Sequence, residues 1–297
     1  MTLPAAEMPP LGLGTSPARS SRPIDLSRAL DSALDAGYRL FDTAEAYGVE
    51  PLLGQALASA SIERPELYLV SKVWQTNHGF DDVLGACRAS LARLGTEYLD
   101  LYLIHAPVAW RHLGPLRVEP GWSFDEIAAH VVPRDAHGEI EASCVPIEET
   151  WQAMLELRRT GLARAVGVAN FDLPRLEALR AAGFEPPAVV QVELHPLKPH
   201  EELLAYCRSR GIRVMAHSPL GSGRLLSHAR VTELARELGR CPAQLILAWH
   251  LARGTVPVPG SHRPEHVREN LGAVGISLAP DALAALDALG TAATGSA

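Results

Sequence analysis

The chain has 297 residues, 47% of them hydrophobic and 21% charged, with a formal net charge of −7 at neutral pH. That composition suits one large core, and it excludes a nucleic-acid binder built on a basic stripe and a membrane span of the roughly eighteen apolar residues a helix needs. Cys87, Cys144, Cys207 and Cys241 lie far apart with no CxxC pair, so free thiols in a reducing cytoplasm are expected, not disulfides or a zinc site.

From the N-terminus, MTLPAAEMPP lacks the basic and apolar regions of a signal peptide. A first strand is expected near Leu11–Leu13. LSRALDSALDAG then sets Leu26, Leu30, Ala33 and Leu34 on one helical face, with Gly37 as the residue after the helix end. A strand at Tyr38–Phe41 follows, and another at Leu67–Val70. The order of helical segment, glycine and apolar run recurs at Gly95 before Leu99–Ile104, Gly161 before Ala163–Val168 and Gly183 before Val189–Leu194. It recurs again at Gly211 before Ile212–Ala216 and at Gly254 before Thr255–Val258.

These runs are continuously apolar, which means strands buried on both faces, as in a parallel sheet. Eight strand–helix units in this length predict an α/β fold, a (β/α)8 TIM barrel, as a single domain over residues 1–297. An open doubly wound sheet is the competitor, but no GxGxxG follows the first strand, and GLGTS at Gly12–Ser16 is too short a match. Residues 106–146, rich in Pro, Gly, Trp and charge, show no clear period and are expected to form a long pocket loop after strand 4. A frayed tail is expected over 291–297.

Function in such barrels collects at the C-terminal ends of the strands. Asp42 follows the second strand, Lys72 the third, His105 the fourth, Asn170 the fifth and Ser218 the seventh; Gln191 and His195 lie in and after the sixth. Tyr47 comes five residues after Asp42 in LFDTAEAY. Each has a bland reading: Asp42 as a helix N-cap, Lys72 as a solvated charge, either histidine as a satisfied core residue. Together, an Asp, a Lys, a His and a Tyr converge on one barrel mouth.

The stretches MPPLGLGTS, GYRLFDTAEAYGVE, SKVW, LDLYLIHAP, GLARAVGVANF, VVQVELHP, AHSPLGS and HVREN follow one another over roughly residues 8–270, and in them the chain resembles the aldo-keto reductase superfamily. The resemblance implies a cytoplasmic monomer that reduces a small-molecule carbonyl substrate with NADPH, NADH being the alternative cofactor. It implies no nucleic-acid partner, no membrane and no metal. It implies a catalytic tetrad in which Tyr47 donates the proton, Lys72 lowers the phenol's pKa, Asp42 aims Lys72 and His105 orients the carbonyl. A phenol titrates near pH ~10, and a cation within about 4–6 Å can lower that by roughly 1–3.

By the same match Asn170 and Gln191 hold the nicotinamide carboxamide, and Ser218, Leu220 and Ser222 lie along the pyrophosphate. Ser261, Glu269 and Asn270 meet the adenosine, Thr15 contacts the cofactor after the first strand, and His195 is structural. The chain departs from the family's pattern at four points. His217 stands where an aromatic ring commonly stacks under the nicotinamide. Ala169 replaces a serine beside the carboxamide-binding Asn170. Gly260 and His266 replace a Lys and an Arg at the 2′-phosphate, leaving Arg263 and Arg268 as possible donors. Ser16 and Ala106 replace pocket aromatics while Trp74 is kept, so a roomy substrate pocket is expected, walled by Trp74 and by Trp110, Trp122 and Phe124 of the long loop. Two competing functions follow: an NAD-dependent sugar or alcohol dehydrogenase, and a nucleotide-sensing barrel without turnover.

Overall fold

The computed structural model describes residues 8–16, 23–119, 121–122 and 124–294. Eight parallel strands, β1 (Leu13–Gly14), β2 (Leu40–Asp42), β3 (Tyr68–Val73), β4 (Leu99–Ile104), β5 (Ala163–Ala169), β6 (Val189–Glu193), β7 (Arg213–His217) and β8 (Val256–Pro257), pair in sequence order. The sheet closes on itself. Gly14 bridges Gly260 in parallel, and the Gly12 N–H donates to the Pro257 carbonyl at 3.0 Å.

Helices cover the outside: α1 (Pro23–Ala36), α2 (Glu50–Ser59), α3 (Phe80–Leu94), α4 (Phe124–Val131), α5 (Ile147–Arg159), α6 (Leu173–Ala181), α7 (Glu201–Ser209), α8 (Ala229–Glu237), α9 (Pro242–Ala252), α10 (Pro264–Leu271) and α11 (Pro280–Thr294). Among the described residues no helix is long and apolar enough to cross a membrane.

Strand side chains alternate between faces, so each strand feeds two cores. Leu40, Val70, Leu101, Leu103, Val189 and Met215 fill the barrel interior. Phe41, Leu69, Tyr102, Val166, Val190 and Val214 point outward onto the helices, with Trp151 of α5 and Trp249 of α9 fully buried in that outer layer. The continuously apolar runs are thus explained by burial on both faces. The same alternation matters at the mouth. Asp42 lies on the face of Leu40, Lys72 on that of Val70, Gln191 on that of Val189, and the next inward layer after the apolar ones is polar.

Two expectations need correction. Residues 106–146 are not irregular throughout: they contain α4 and short antiparallel bridges at Trp110–Ala142 and Arg134–Ile140. Ile127 and Val131 of α4 are buried, four residues apart on one face, and a single short turn pair of this kind is too brief for a periodic signal to stand out. At the C-terminus, α11 runs through Thr294, into the stretch read as a tail. Ala292 and Ala293 are strong helix formers and extend it; residues 295–297 lie outside the described ones.

Candidate active site

Asp42 closes β2, and the 3₁₀ turn that follows, Glu45–Tyr47, is capped by Ala44 with no side-chain bond. Asp42 is therefore not a cap. Its Oδ2 accepts from Lys72 Nζ at 2.8 Å and its Oδ1 from Gln191 Nε2 at 2.9 Å. Lys72 also donates to the Thr43 carbonyl at 2.8 Å and is 1% exposed. Burial by itself would lower the Lys72 pKa; Asp42 and Tyr47 together outweigh it and hold the ammonium above its ordinary value. The tether is mutual, and it leaves the Lys72 Nζ 5.2 Å from the centre of the Tyr47 ring.

Tyr47 departs from expectation. Burial pushes its hydroxyl above the usual phenol range, against the pull of Lys72, with which it is hydrogen-bonded, and of the Ser16 hydroxyl. The cation is where the sequence put it, but desolvating a phenolate costs more than one already paired ammonium returns. At neutral pH the phenol is therefore fully protonated. His105 meets Tyr47 edge-on, ring centres 5.6 Å apart, and burial together with Lys72 and His217 keeps its pKa well below the ordinary histidine range, so it is neutral.

A cavity of about 970 Å³ opens from this cluster and runs along the barrel mouth, lined at one end by Ser16, Asp42, Tyr47 and His105. Asn170, Gln191, His217, Ser218, Leu220 and Ser222 continue the lining, and Ser261, His266, Glu269 and Asn270 close the far end. The structure thus brings most of the expected residues into one groove, while Lys72, Trp74, Ala106 and Trp110 lie outside its lining. The exceptions are informative. Thr15 is turned away, with its hydroxyl and its N–H both donating to the Asp42 carbonyl, at 3.1 and 2.9 Å, so it positions Asp42 rather than facing the groove. Arg268 points back to α1, where it donates to Ser32 Oγ at 2.7 Å. Arg263 caps α10 with its side chain exposed, outside the groove lining. His195 is buried, 3.4 Å from Glu193.

The middle of the groove is held by a chain of hydrogen bonds. Asn170 Nδ2 donates to the His105 carbonyl at 2.8 Å, which turns its Oδ1 toward His217 Nε2 at 2.9 Å. An amide oxygen only accepts, so His217 carries its proton on Nε2, and Nδ1 is left to accept from Ser218 Oγ at 3.3 Å. Burial lowers the His217 pKa to about 4, which keeps the ring neutral. Asn170, Ser218 and Ser222 all have positive φ, 60°, 48° and 54°, a conformation that costs a non-glycine residue energy and recurs at functional sites. With Gly221 and Gly223 also at positive φ, the 218–223 segment reverses hand repeatedly, the backbone form of an anion cradle. A groove with a fixed amide at one end, this cradle in its middle and polar groups at the far end fits an extended dinucleotide.

On the other side of His105 stands the aromatic wall. Trp74 lies edge-on to His105 at 4.8 Å and to Trp110 at 5.4 Å, and its indole N–H donates to the Val131 carbonyl of α4 at 2.7 Å. Ala106, which follows His105, is half-buried. Trp122 pairs instead with His130, ring centres 4.2 Å apart, and the Phe124 side chain lies outside the described residues. Sequence reasoning passed over Glu45, whose carboxylate accepts from the Trp74 N–H and from Asn77 Nδ2. Its signal was a lone acid in the otherwise apolar turn between Asp42 and Tyr47.

The profile of the Aldo/keto reductase family matches residues 10–291. Aldo-keto reductase family 1 member A1 of Mus musculus is 36% identical over 298 residues, covering 95% of this chain and 86% of the relative. An aldo-keto reductase of Mycobacterium sp. strain KMS is 36% identical, covering 95% and 89%. The solved aldose reductase of Schistosoma japonicum has a TM-score of 0.85 at 32% identity, covering 95% of this chain and 88% of that one. With a match of this extent, this chain belongs to the aldo/keto reductase family and is an oxidoreductase of that family.

Proposed function

We propose that the protein reduces an aldehyde or ketone to an alcohol, with a nicotinamide dinucleotide in the groove and Tyr47 as the proton donor. The observation that carries this reading is the buried Asp42–Lys72 pair, 2.8 Å apart, set against the ring of a protonated tyrosine at one end of a dinucleotide-sized cavity. The dinucleotide supplies hydride to the carbonyl carbon; the chain does the rest. Tyr47 protonates the carbonyl oxygen as negative charge grows there. Lys72, kept charged by Asp42, stabilises the phenolate left behind. Neutral His105 offers an imidazole N–H to the same oxygen and fixes the substrate's orientation. Gln191 and Thr15 hold Asp42, so Gln191 serves the tetrad as well as the carboxamide end of the groove.

NADPH is the proposed cofactor, its 2′-phosphate met by Ser261, His266 and the exposed Arg263. NADH is the second reading, favoured by one observation: among the described residues lining the groove there is no Lys or Arg, and Arg268 is committed to Ser32. The substrate is proposed to be a bulky carbonyl compound, since Ser16, which lines the groove, and Ala106 are small residues. The test follows oxidation of NADPH and of NADH by purified protein over carbonyls of increasing size, beside Tyr47→Phe. Turnover that Tyr47→Phe lowers by at least about 10²-fold is expected. Equal turnover in the variant would remove Tyr47 from its role, and tight nucleotide binding without turnover would favour the sensing barrel.

A further inference from the structure

Glu45 is 4% exposed and opens the turn that ends at Tyr47. Its Oε1 accepts the backbone N–H of Trp74, two residues beyond Lys72, and Asn77 Nδ2 lies 3.2 Å from both of its oxygens. Trp74 in turn abuts His105 and is fastened to α4 through its indole. One carboxylate therefore joins the turn bearing the acid, the strand end bearing its cation and the aromatic wall. An apolar residue at this position would leave the amide of Asn77 and the N–H of Trp74 buried without partners.

We propose that Glu45 is a positioning residue for the reaction: its ionised carboxylate clamps the Tyr47 turn to the end of β3, and its protonated form clamps it less firmly. The inference rests on the reductase reading of the site. The charges around Glu45 explain why both forms matter near neutrality. Glu50 of α2 and Arg93 of α3 are the charged neighbours, and they are paired with each other at 2.7 Å. Tyr102 of β4 and Cys87 of α3 are both pushed up by burial, the thiol to about 12, and stay neutral. His78 is pushed down to about 4 by burial and is neutral as well. On α4, which packs on this turn, Asp125, Glu126 and His130 are exposed, whereas Ile127 and Val131 are the buried residues. Arg93 being engaged, burial raises the Glu45 carboxyl to about 7 despite its two donors. Ionisation roughly doubles the strength of each hydrogen bond it accepts. Activity therefore rises with pH as Glu45 loses its proton.

The experiment uses the full chain. Val73–Trp74 is the sole Val–Trp pair in the sequence, so paired isotope labelling assigns the Trp74 amide resonance directly. That resonance is expected to titrate with a midpoint near pH ~7 in the wild type and not in Glu45→Gln, which keeps the shape and stays neutral. The kcat of Glu45→Gln is expected about tenfold below wild type at pH ~8 and equal to it below pH ~6, with cofactor Kd unchanged. Asn77→Ala, which removes one donor from the carboxylate, should move the amide midpoint and the activity limb upward together. An amide that does not titrate overturns the proposal, as does a pH limb that persists in Glu45→Gln. An amide midpoint that moves in Asn77→Ala while the limb stays put also overturns it, leaving Glu45 a structural strut. Absence of wild-type turnover with either nucleotide at every pH would instead sink the reductase reading, and the amide would still titrate.

Discussion

At the scale of single residues, the tetrad shows how far chemistry can be read from side chains in order. Asp42, Tyr47, Lys72 and His105 stood out in the sequence because four reactive groups at the ends of three strands and the turn after one of them are hard to explain otherwise. The acidity of Tyr47 was not legible, because it depends on how much water the folded site excludes. Lys72→Met leaves Asp42 with Gln191 as its side-chain partner and removes the counter-charge for the phenolate; kcat is expected to fall about 10²–10³-fold with cofactor Kd little changed. His217→Phe tests the middle of the groove. It keeps a flat ring but removes the Nε2–H that Asn170 Oδ1 accepts at 2.9 Å, so cofactor Kd should weaken about five- to tenfold in a fluorescence titration, a loss of about 1 kcal/mol. Unchanged or tighter binding would show that the ring acts by stacking alone.

At the scale of elements, the eight strands were found by their apolar runs and, for six of them, by the glycine before the run; β4 was read to the residue and other ends were off by at most three residues. α4 was missed: it is short, and its place is decided by contacts from outside itself, above all the 2.7 Å bond from Trp74 Nε1 to the Val131 carbonyl. Trp74→Phe removes that bond; amide exchange within α4 is expected to speed several-fold, with the barrel strands unaffected. Gly167 in β5 makes the complementary point about the barrel. A Cβ there would lie 2.3 Å from the Val189 carbonyl oxygen of β6 and 2.8 Å from the Leu103 side chain of β4. Gly167→Ala must spread the β5–β6 pair, and a loss of about 2 kcal/mol or more in urea unfolding is expected. Nothing in AVGVANF announces this; the constraint comes from strands brought together by closure.

At the scale of the whole molecule, stability should fall on acidification. His78 and His250 are buried, and burial lowers their pKa values to about 4 and about 3. Unfolded imidazoles take up protons below about 6.5, where the folded ones cannot, so the unfolded state binds more protons and folding weakens as pH falls from about 6.5 toward about 4. Glu45 acts in the opposite sense. Its raised pKa makes the folded state the better proton acceptor between its unfolded value and about 7, which favours folding at the acid side of that window. With His105 and His217 lowered as well, the histidines outweigh the one carboxylate, and Tm is expected to drop by several degrees between pH ~6.5 and pH ~4.5, more steeply in Glu45→Gln than in the wild type. A flat Tm over that range would mean the rings are hydrated in the fold. The sequence by itself determined the barrel and the identity of its reactive groups, because strand alternation and chain order are local properties that survive in one dimension. Only the tertiary structure decided that Thr15 and Arg268 turn away from the groove, that Gln191 holds Asp42, that burial raises the Tyr47 pKa and that Glu45 ties the turn ending at Tyr47 to the Trp74 backbone at the end of β3. Each of those depends on which groups from distant segments share a space without water, and desolvation is a property of that shared space alone.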